Sequence, residues 1–496
     1  LPVPFKQIPS NLRVPLFYAE IDPSFANTRQ VTQRALLIGQ KMTAGTATPD
    51  VPVQCQSVSE AKSLCGQGSI LAQMAQTYRA NDPFGELWLL PVADAGGAVA
   101  ATGSVNSTNA ATAPGTLYLY IAGMLVTLAL TGSQTANQIA TALAAAINAV
   151  NDLPVTAVVD GVTLSKVNLT AKNLGVCGND IDIRFNYLGA AGGQTFPTGY
   201  AATIVAMASG ATNPTLTTAL ANLTDQPFDF IAIPWTDTTS LDALKTLLND
   251  TTGRWSWNVQ VYGHMITAFR GTFGARVSLG TGRNDQHASI MGFFDSPTPN
   301  WKWAAAIAGQ TAVSVRADAG TPLQTLPLFD VLAPPLQSRD SLTNRNTLLF
   351  DGVSTFTVDA AGQVRIENLV TTYQLNSFSQ PDSSYLQVET MFLLMLVLRA
   401  MSSLVTTKYS RVKLAADGTR FAPGANIVTP AVIREDLIAL YRELEYEGYV
   451  QNSAAFAQGL IVQKNATNPN RVDVLWPGTL INQLRIFAVL AQFRLQ

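Results

Sequence analysis

Uninterrupted apolar runs separated by helical stretches constrain the fold of this chain more than any other feature. Ala35-Leu36-Leu37-Ile38-Gly39, residues 86–91, 228–234 and 288–293 are apolar at nearly every position instead of alternating. A strand of that kind has to be covered on both faces, as in a parallel sheet flanked by helices. Between the runs lie helical spacings: 59–78 through Ile70, Leu71, Met74 and Tyr78, then 216–223, 241–248, and 301–312 after Pro297-Thr298-Pro299. Strand–helix alternation implies an α/β domain. Residues 204–206 and 258–262 are read as further strands of it.

The α/β pattern is interrupted. Residues 95–112 are Ala, Gly, Ser, Thr and Asn with almost no large apolar side chain, a linker composition. Beyond them, 117–130 reads as a hairpin turning at Ala122-Gly123. Ile139, Leu143, Ile147 and Val150 mark one helix face, and 155–159, 162–169 and 181–187 read as strands. The expected fold is a discontinuous α/β sheet domain, 31–95 plus 201–335, with a small α+β module, 96–200, inserted into it. Pro334-Pro335 opens a C-terminal α+β domain, 336–470. It is expected to hold a β-meander of 348–350, 355–358 and 364–366, then helices 384–405 and 429–447. Thr429 caps the second helix, Pro430 follows, and Gly448 stops it.

Extended arms flank these domains. Pro2, Pro4, Pro9, Pro15 and Pro23 prevent a helix in the 1–30 arm, and Phe17, Tyr18, Ile21 and Phe25 supply apolar anchors. At the other end, 471–476 and 480–493 read as strands of a 471–496 arm that holds Val472, Val474 and Leu484. Ile486, Ala488 and Leu490 lie on one face; Phe487, Val489 and Phe493 lie on the other. Such a strand needs cover from the subunit's own core or from another subunit.

Composition narrows the function. Charged residues are 13 % of the chain, against roughly 25 % in soluble proteins, which suits a subunit that hides its surface against neighbours. A net charge of −2 offers no basic field for nucleic acid or anionic lipid. Cys55, Cys65 and Cys177 form no CxxC and are expected to be free, buried thiols in a reducing cytosol. Leu1 to Phe5 shows neither a basic n-region nor an apolar core, so folding in a cytoplasm is expected. The longest apolar run, 391–398, is short for a membrane span and is broken by Arg399.

No P-loop, HExxH or GxSxG motif occurs. His264 and His287 are the only histidines, so metal clusters and acid–base pairs built on His are nearly excluded. Arg283, Asp285 and His287 make a polar group beside a sheet strand, weighed as a ligand site against an ordinary polar loop. Trp255, Trp257, Trp301 and Trp303 read as packing. Glu435, Asp436, Glu443, Glu445 and Glu447 form either a solvated helix face or an acidic contact surface. No catalytic, cofactor-binding or metal-binding residue is expected.

Three stretches carry a resemblance: Thr170-Ala171-Lys172-Asn173-Leu174-Gly175-Val176-Cys177-Gly178-Asn179-Asp180-Ile181-Asp182, Asn300-Trp301-Lys302-Trp303-Ala304-Ala305-Ala306, and Gly362-Gln363-Val364-Arg365-Ile366-Glu367-Asn368-Leu369-Val370-Thr371-Thr372-Tyr373. In that order they resemble the contractile tail sheath proteins of Mu-like phages, along essentially the whole chain. The resemblance implies a non-enzymatic homopolymer, helical or of stacked rings, around a tail tube, with baseplate and tail terminator proteins as further partners and without cofactor, nucleic acid or membrane insertion. It places the protein in the virion tail and, during assembly, in the host cytoplasm. It implies that the arms add strands to neighbouring subunits, with Phe17, Tyr18, Ile21, Val472, Val474, Leu484, Ile486, Phe487 and Val489 as contacts. Glu435, Asp436 and Glu443 become a candidate tube-facing surface. A tube or capsid protein, or less readily an α/β hydrolase, are the alternative classes.

Overall fold

The apolar runs become strands in the computed structural model, which describes residues 33–422 and 424–495. The chain opens with β1 (Ala35–Gln40), β2 (Val53–Cys55), α1 (Val58–Cys65), α2 (Ile70–Asn81) and β3 (Leu87–Val92). Next come β4 (Thr102–Asn109), β5 (Gly115–Ile121), β6 (Met124–Leu130), α3 (Ala136–Ala149), β7 (Val155–Val159), β8 (Lys166–Ala171), β9 (Ile183–Phe185) and β10 (Ala201–Ala208). They are followed by α4 (Thr217–Ala221), β11 (Phe230–Ala232), α5 (Thr238–Leu248), β12 (His264–Arg270), α6 (Phe273–Thr281), β13 (Ala288–Phe293), α7 (Asn300–Ala317), α8 (Leu342–Phe350), β14 (Val353–Val358) and β15 (Val364–Asn368). The C-terminal part holds α9 (Val388–Lys408), β16 (Lys413–Leu414), β17 (Ile427–Val428), α10 (Pro430–Tyr446), β18 (Val450–Gln451), α11 (Ser453–Gly459), β19 (Ile461–Lys464), β20 (Val472–Leu475) and β21 (Thr479–Leu480).

This is a mixed α/β protein with several sheets. The largest has eight strands in the order β15-β14-β13-β12-β11-β1-β3-β2. Its inner strands run parallel, and β2 and β15 close the edges antiparallel. β1 and β13 are buried at every position, which is why their sequences do not alternate. Ser57, Ser69, Thr135, Asp237, Thr272 and Ser341 each accept a backbone N–H in the first turn of the helix that follows. Helix α7 is buried along most of its length. Trp301 Nε1 donates to Gln73 Oε1 of α2 at 2.8 Å, and Trp303 stacks on Phe293 of β13, with ring centres 4.7 Å apart.

Residues of β4–β10 build two further sheets, β10-β4-β8-β7 and β6-β5-β9. The β5–β6 hairpin turns at Ala122 and Gly123, both with positive φ (52° and 76°), as a two-residue type I′ hairpin requires. A small cluster of Ala111, Leu117, Leu130, Ile139 and Tyr200 belongs to this stretch alone. Val105, Leu119, Leu143 and Leu169, however, share one buried cluster with Leu36, Leu71 and Trp301 of the main body. The Thr170–Asp182 stretch helps to staple the two: Asn173 Oδ1 accepts from Ile70 N at 3.0 Å, and its Nδ2 donates to Lys41 O at 3.1 Å.

Several expectations need correction. Residues 348–350 are the end of α8, not a strand, because Ser341 caps a helix there. β14 and β15 make no separate meander; β14 lies parallel to β13 and extends the main sheet. Residues 258–262 form a loop with positive φ at Gln260 and Tyr262, and the strand begins at His264. The strand at 204–206 pairs with β4 and not with the main sheet. The 59–78 segment is two helices. α9 is 21 residues long and, by length and composition, apolar enough to cross a bilayer. Its Met391, Phe392, Leu393, Met395 and Val397 are buried in the protein, and Arg399 pairs with the fully buried Asp229.

Candidate assembly surfaces

The groups that suggested chemistry in the sequence do not converge. His264 is fully buried on β12 and shares a hydrogen bond with Ser289 Oγ at 2.9 Å. Burial, assisted by the nearby His287, pushes its pKa down to about 3, so the ring is neutral. His287 Nε2 bonds Asp250 at 2.9 Å, its backbone N–H donates to Asp285, and its ring lies 4.9 Å from Trp255. Arg283 turns instead to Asp242 at 2.5 Å. That ion pair spans a cleft of about 340 Å³ whose lining includes Leu241, Lys245, Met265, Ala288 and Thr372. The cleft opens at the N-terminal ends of β12 and β13, whereas open α/β sheets take ligands at the carboxyl ends of their strands.

Among the described residues no three His, Cys, Asp or Glu side chains are grouped to hold a metal. The three thiols are buried and unpaired. Burial raises Cys55 to about 11 and Cys65 to about 12, so neither is a thiolate nucleophile near neutrality. Trp301 and Trp303 are core residues as expected, but Trp257 is 81 % exposed.

The C-terminus is different in kind. Val472 and Val474 lie on β20, paired with Lys464 and Val462 of β19. β21 then pairs with β18, and Ile481 N donates to Tyr449 O at 3.1 Å. Regular structure ends there: the strand expected over 480–493 stops at Leu480, and residues 481–495 join no sheet among the described residues. Leu484, Ile486, Phe487, Val489, Leu490, Phe493 and Leu495 are all at least 70 % exposed. So many large apolar side chains exposed along one short segment are unfavourable in water and uncommon on the surface of a lone subunit. Phe17, Tyr18 and Ile21 lie outside the described residues.

The acidic face of α10 is less uniform than its sequence. Ile433, Leu437, Leu440, Tyr441 and Leu444 turn inward, and Tyr441 stacks on Phe456 at 3.8 Å. Asp436 accepts bonds from Lys408 Nζ and Tyr409 OH. Burial and that carboxylate hold the Tyr409 phenol well above its ordinary pKa. Glu435 lies 3.2 Å from Arg434 and is exposed, as is Glu443.

Sequence reading missed the contact that ties Arg485 to the body. Arg485 Nη2 lies 2.5 Å from Oε1 of the fully buried Glu389 on α9. A single carboxylate near the start of an otherwise apolar helix was the available signal.

Comparison with known proteins gives the geometry its context. The phage tail sheath protein central domain matches residues 209–372, and the phage tail sheath C-terminal domain matches residues 380–494. The chain is 41 % identical over 493 residues to the Mu-like prophage FluMu tail sheath protein of Haemophilus influenzae, covering 99 % of each. Solved sheath tail proteins of Desulfitobacterium hafniense and Listeria innocua align at 12 % identity with TM-scores of 0.49. The first alignment covers 95 % of this chain and 97 % of that one, the second 92 % and 94 %. With a relative of that identity along its whole length, the chain belongs to the phage tail sheath protein family, as a structural subunit of a contractile tail sheath and not an enzyme.

Proposed function

We propose that copies of this chain polymerise around a tail tube and are held to one another by their terminal arms, so that contraction can repack subunits without parting them. The observation that carries this reading is the run of exposed apolar residues from Leu484 to Leu495. An extended segment that adds to a neighbour's sheet edge gains main-chain hydrogen bonds as well as side-chain burial. Each anchor fully buried contributes about 1.5–3 kcal/mol. The two-stranded pairs β18–β21 and β19–β20 leave edges for such additions. In this reading 1–30 and 471–496 are the arms, 31–95 with 201–335 is the sheet domain, 96–200 is an outward-facing module, and 336–470 is the tube-side domain. Glu435 and Glu443 are the tube-facing carboxylates; Asp436, already engaged by Lys408 and Tyr409, supports the surface from behind. Tube, baseplate and terminator proteins are the partners, with assembly in the host cytoplasm.

Negative-stain microscopy of the full chain and of a variant carrying Ile486→Asp and Phe487→Asp tests this. Long polymers are expected only from the first, with equal circular dichroism spectra, because burying unpaired carboxylates costs several kcal/mol. Normal sheaths from the folded variant would remove the arm from the account.

A further inference from the structure

The arm does not leave the body at a free hinge. Ile481 is tied by its backbone to Tyr449, Gln324 Nε2 reaches Leu484 O at 3.4 Å, and Arg485 enters the protein to meet Glu389. Glu389 is fully buried and its Oε1 also accepts from Leu323 N at 2.5 Å. Beyond Arg485 every large apolar side chain is exposed. Among the described residues, Arg485 is thus the last one held by a hydrogen bond or ion pair to the body.

The helix that carries Glu389 has a second buried charge. Arg399 of α9 pairs with Asp229, which is fully buried and directly precedes β11 near the middle of the eight-stranded sheet. The two positions on α9 are about 15 Å apart along the axis, at 1.5 Å per residue. One rigid helix therefore holds the arm root at one point and the central sheet at another.

We infer that Arg485–Glu389 is the latch that sets where the arm departs, and that α9 relays load on the arm to the central sheet through Arg399–Asp229. The inference rests on the arm reading above and adds the element through which the arm acts. The latch is made end-on: Glu389 Oε2 and Arg485 Nε have no partner among the described residues. An end-on pair holds less firmly than a forked one, yet its loss leaves a buried carboxylate uncompensated. The root is fixed at rest and able to re-seat when neighbouring subunits repack.

Hydrogen exchange on full-length chains that also carry Ile486→Asp and Phe487→Asp, expected to stay folded and unassembled, reads the latch apart from assembly. Arg485→Met should raise amide exchange over residues 479–485 and at Leu323 at least tenfold while the sheet strands stay protected. Arg485→Lys should fall between. The neutral pair Asp229→Asn with Arg399→Gln should loosen the same residues at least threefold. Microscopy should show Arg485→Met sheaths shortened. Unchanged exchange in Arg485→Met overturns the latch, and unchanged exchange at 479–485 in the Asp229/Arg399 variant overturns the relay. Deletion of 486–496 separates the two levels: assembly that survives it ends the arm reading itself, whereas assembly lost with the deletion but normal in Arg485→Met ends only the latch.

Discussion

Arg276 and Asp340 form a two-pronged ion pair, Nη1 to Oδ2 at 2.5 Å and Nη2 to Oδ1 at 2.7 Å, that ties α6 to the segment leading into α8. The arginine side chain is 2 % exposed and the aspartate 11 %. A forked pair in that setting is worth little against apolar isosteres but much against the loss of one partner. Asp340→Ala should therefore cost about 3–5 kcal/mol, seen as a lower urea midpoint with unchanged slope. A drop well under 1 kcal/mol would show that Arg276 reaches water when released. The pair matters because α6 and α8 flank β14, the strand that joins the 336–470 region to the main sheet.

Gly280 marks the closest approach at that junction. A Cβ built there would meet Asp351 O at 2.2 Å and Val353 Cγ2 at 2.7 Å. Backbone cannot step aside as a flexible side chain can. Gly280→Ala should destabilise by about 1–3 kcal/mol. Calorimetry gives the check: a melting temperature equal to that of the parent would mean that α6 shifts freely over α8.

His264 gives the protein a pH dependence of known sign. Its folded pKa is about 3, below the ordinary histidine value of 6.5. Between those values the unfolded chain binds a proton that the folded chain does not, so stability is fully present above about 6.5 and falls as the pH drops toward 3. Each unit of separation is worth about 1.4 kcal/mol. His264→Gln keeps a polar partner for Ser289 but does not titrate. Urea midpoints at pH 7 and 4.5 should fall further for the parent than for the variant, and equal falls would contradict a neutral, buried ring.

Legibility in the sequence followed the range of the interaction. The β5–β6 hairpin and α10 were readable because a turn, a cap or a 3.6-residue stripe is local. The largely apolar β1, β3 and β13 were readable because two-sided burial leaves no alternation. The apolar residues 348–350 were misread because a short run fits a strand or a helix end equally. β14's partner was hidden because parallel pairing with β13 is made across the intervening α7 and α8. Arg283, Asp285 and His287 are close in sequence, yet the side-chain partners of Arg283 and His287 are Asp242 and Asp250, distant in sequence. The apolar run over 480–493 was visible, but apolar character does not specify a partner edge, and past Leu480 it joins no sheet among the described residues.

Arg270 supplies the last prediction, at the seam between the main sheet and the 96–200 stretch. It leaves the end of β12, lies over the Phe293 ring at 5.0 Å, and donates to Ser296 O at 2.6 Å and Thr298 O at 2.9 Å. Across the seam it reaches Asp180 O at 3.3 Å and faces the Asp180 carboxylate at 3.6 Å. Beside it Arg184 bridges Asp182 and Asp295, at 2.5 and 2.9 Å. Arg270→Met retains the packing on Phe293 but strands three carbonyls and a carboxylate, a loss of about 3 kcal/mol. Because Arg184 and the shared apolar core still span the seam, the stretch should stay docked and open more often. Hydrogen exchange should therefore rise in β5, β9 and the 176–182 segment while β12 and β13 remain protected. Uniform loss of protection across both would mean that the two regions unfold as one unit and that Arg270 is simply part of their common core.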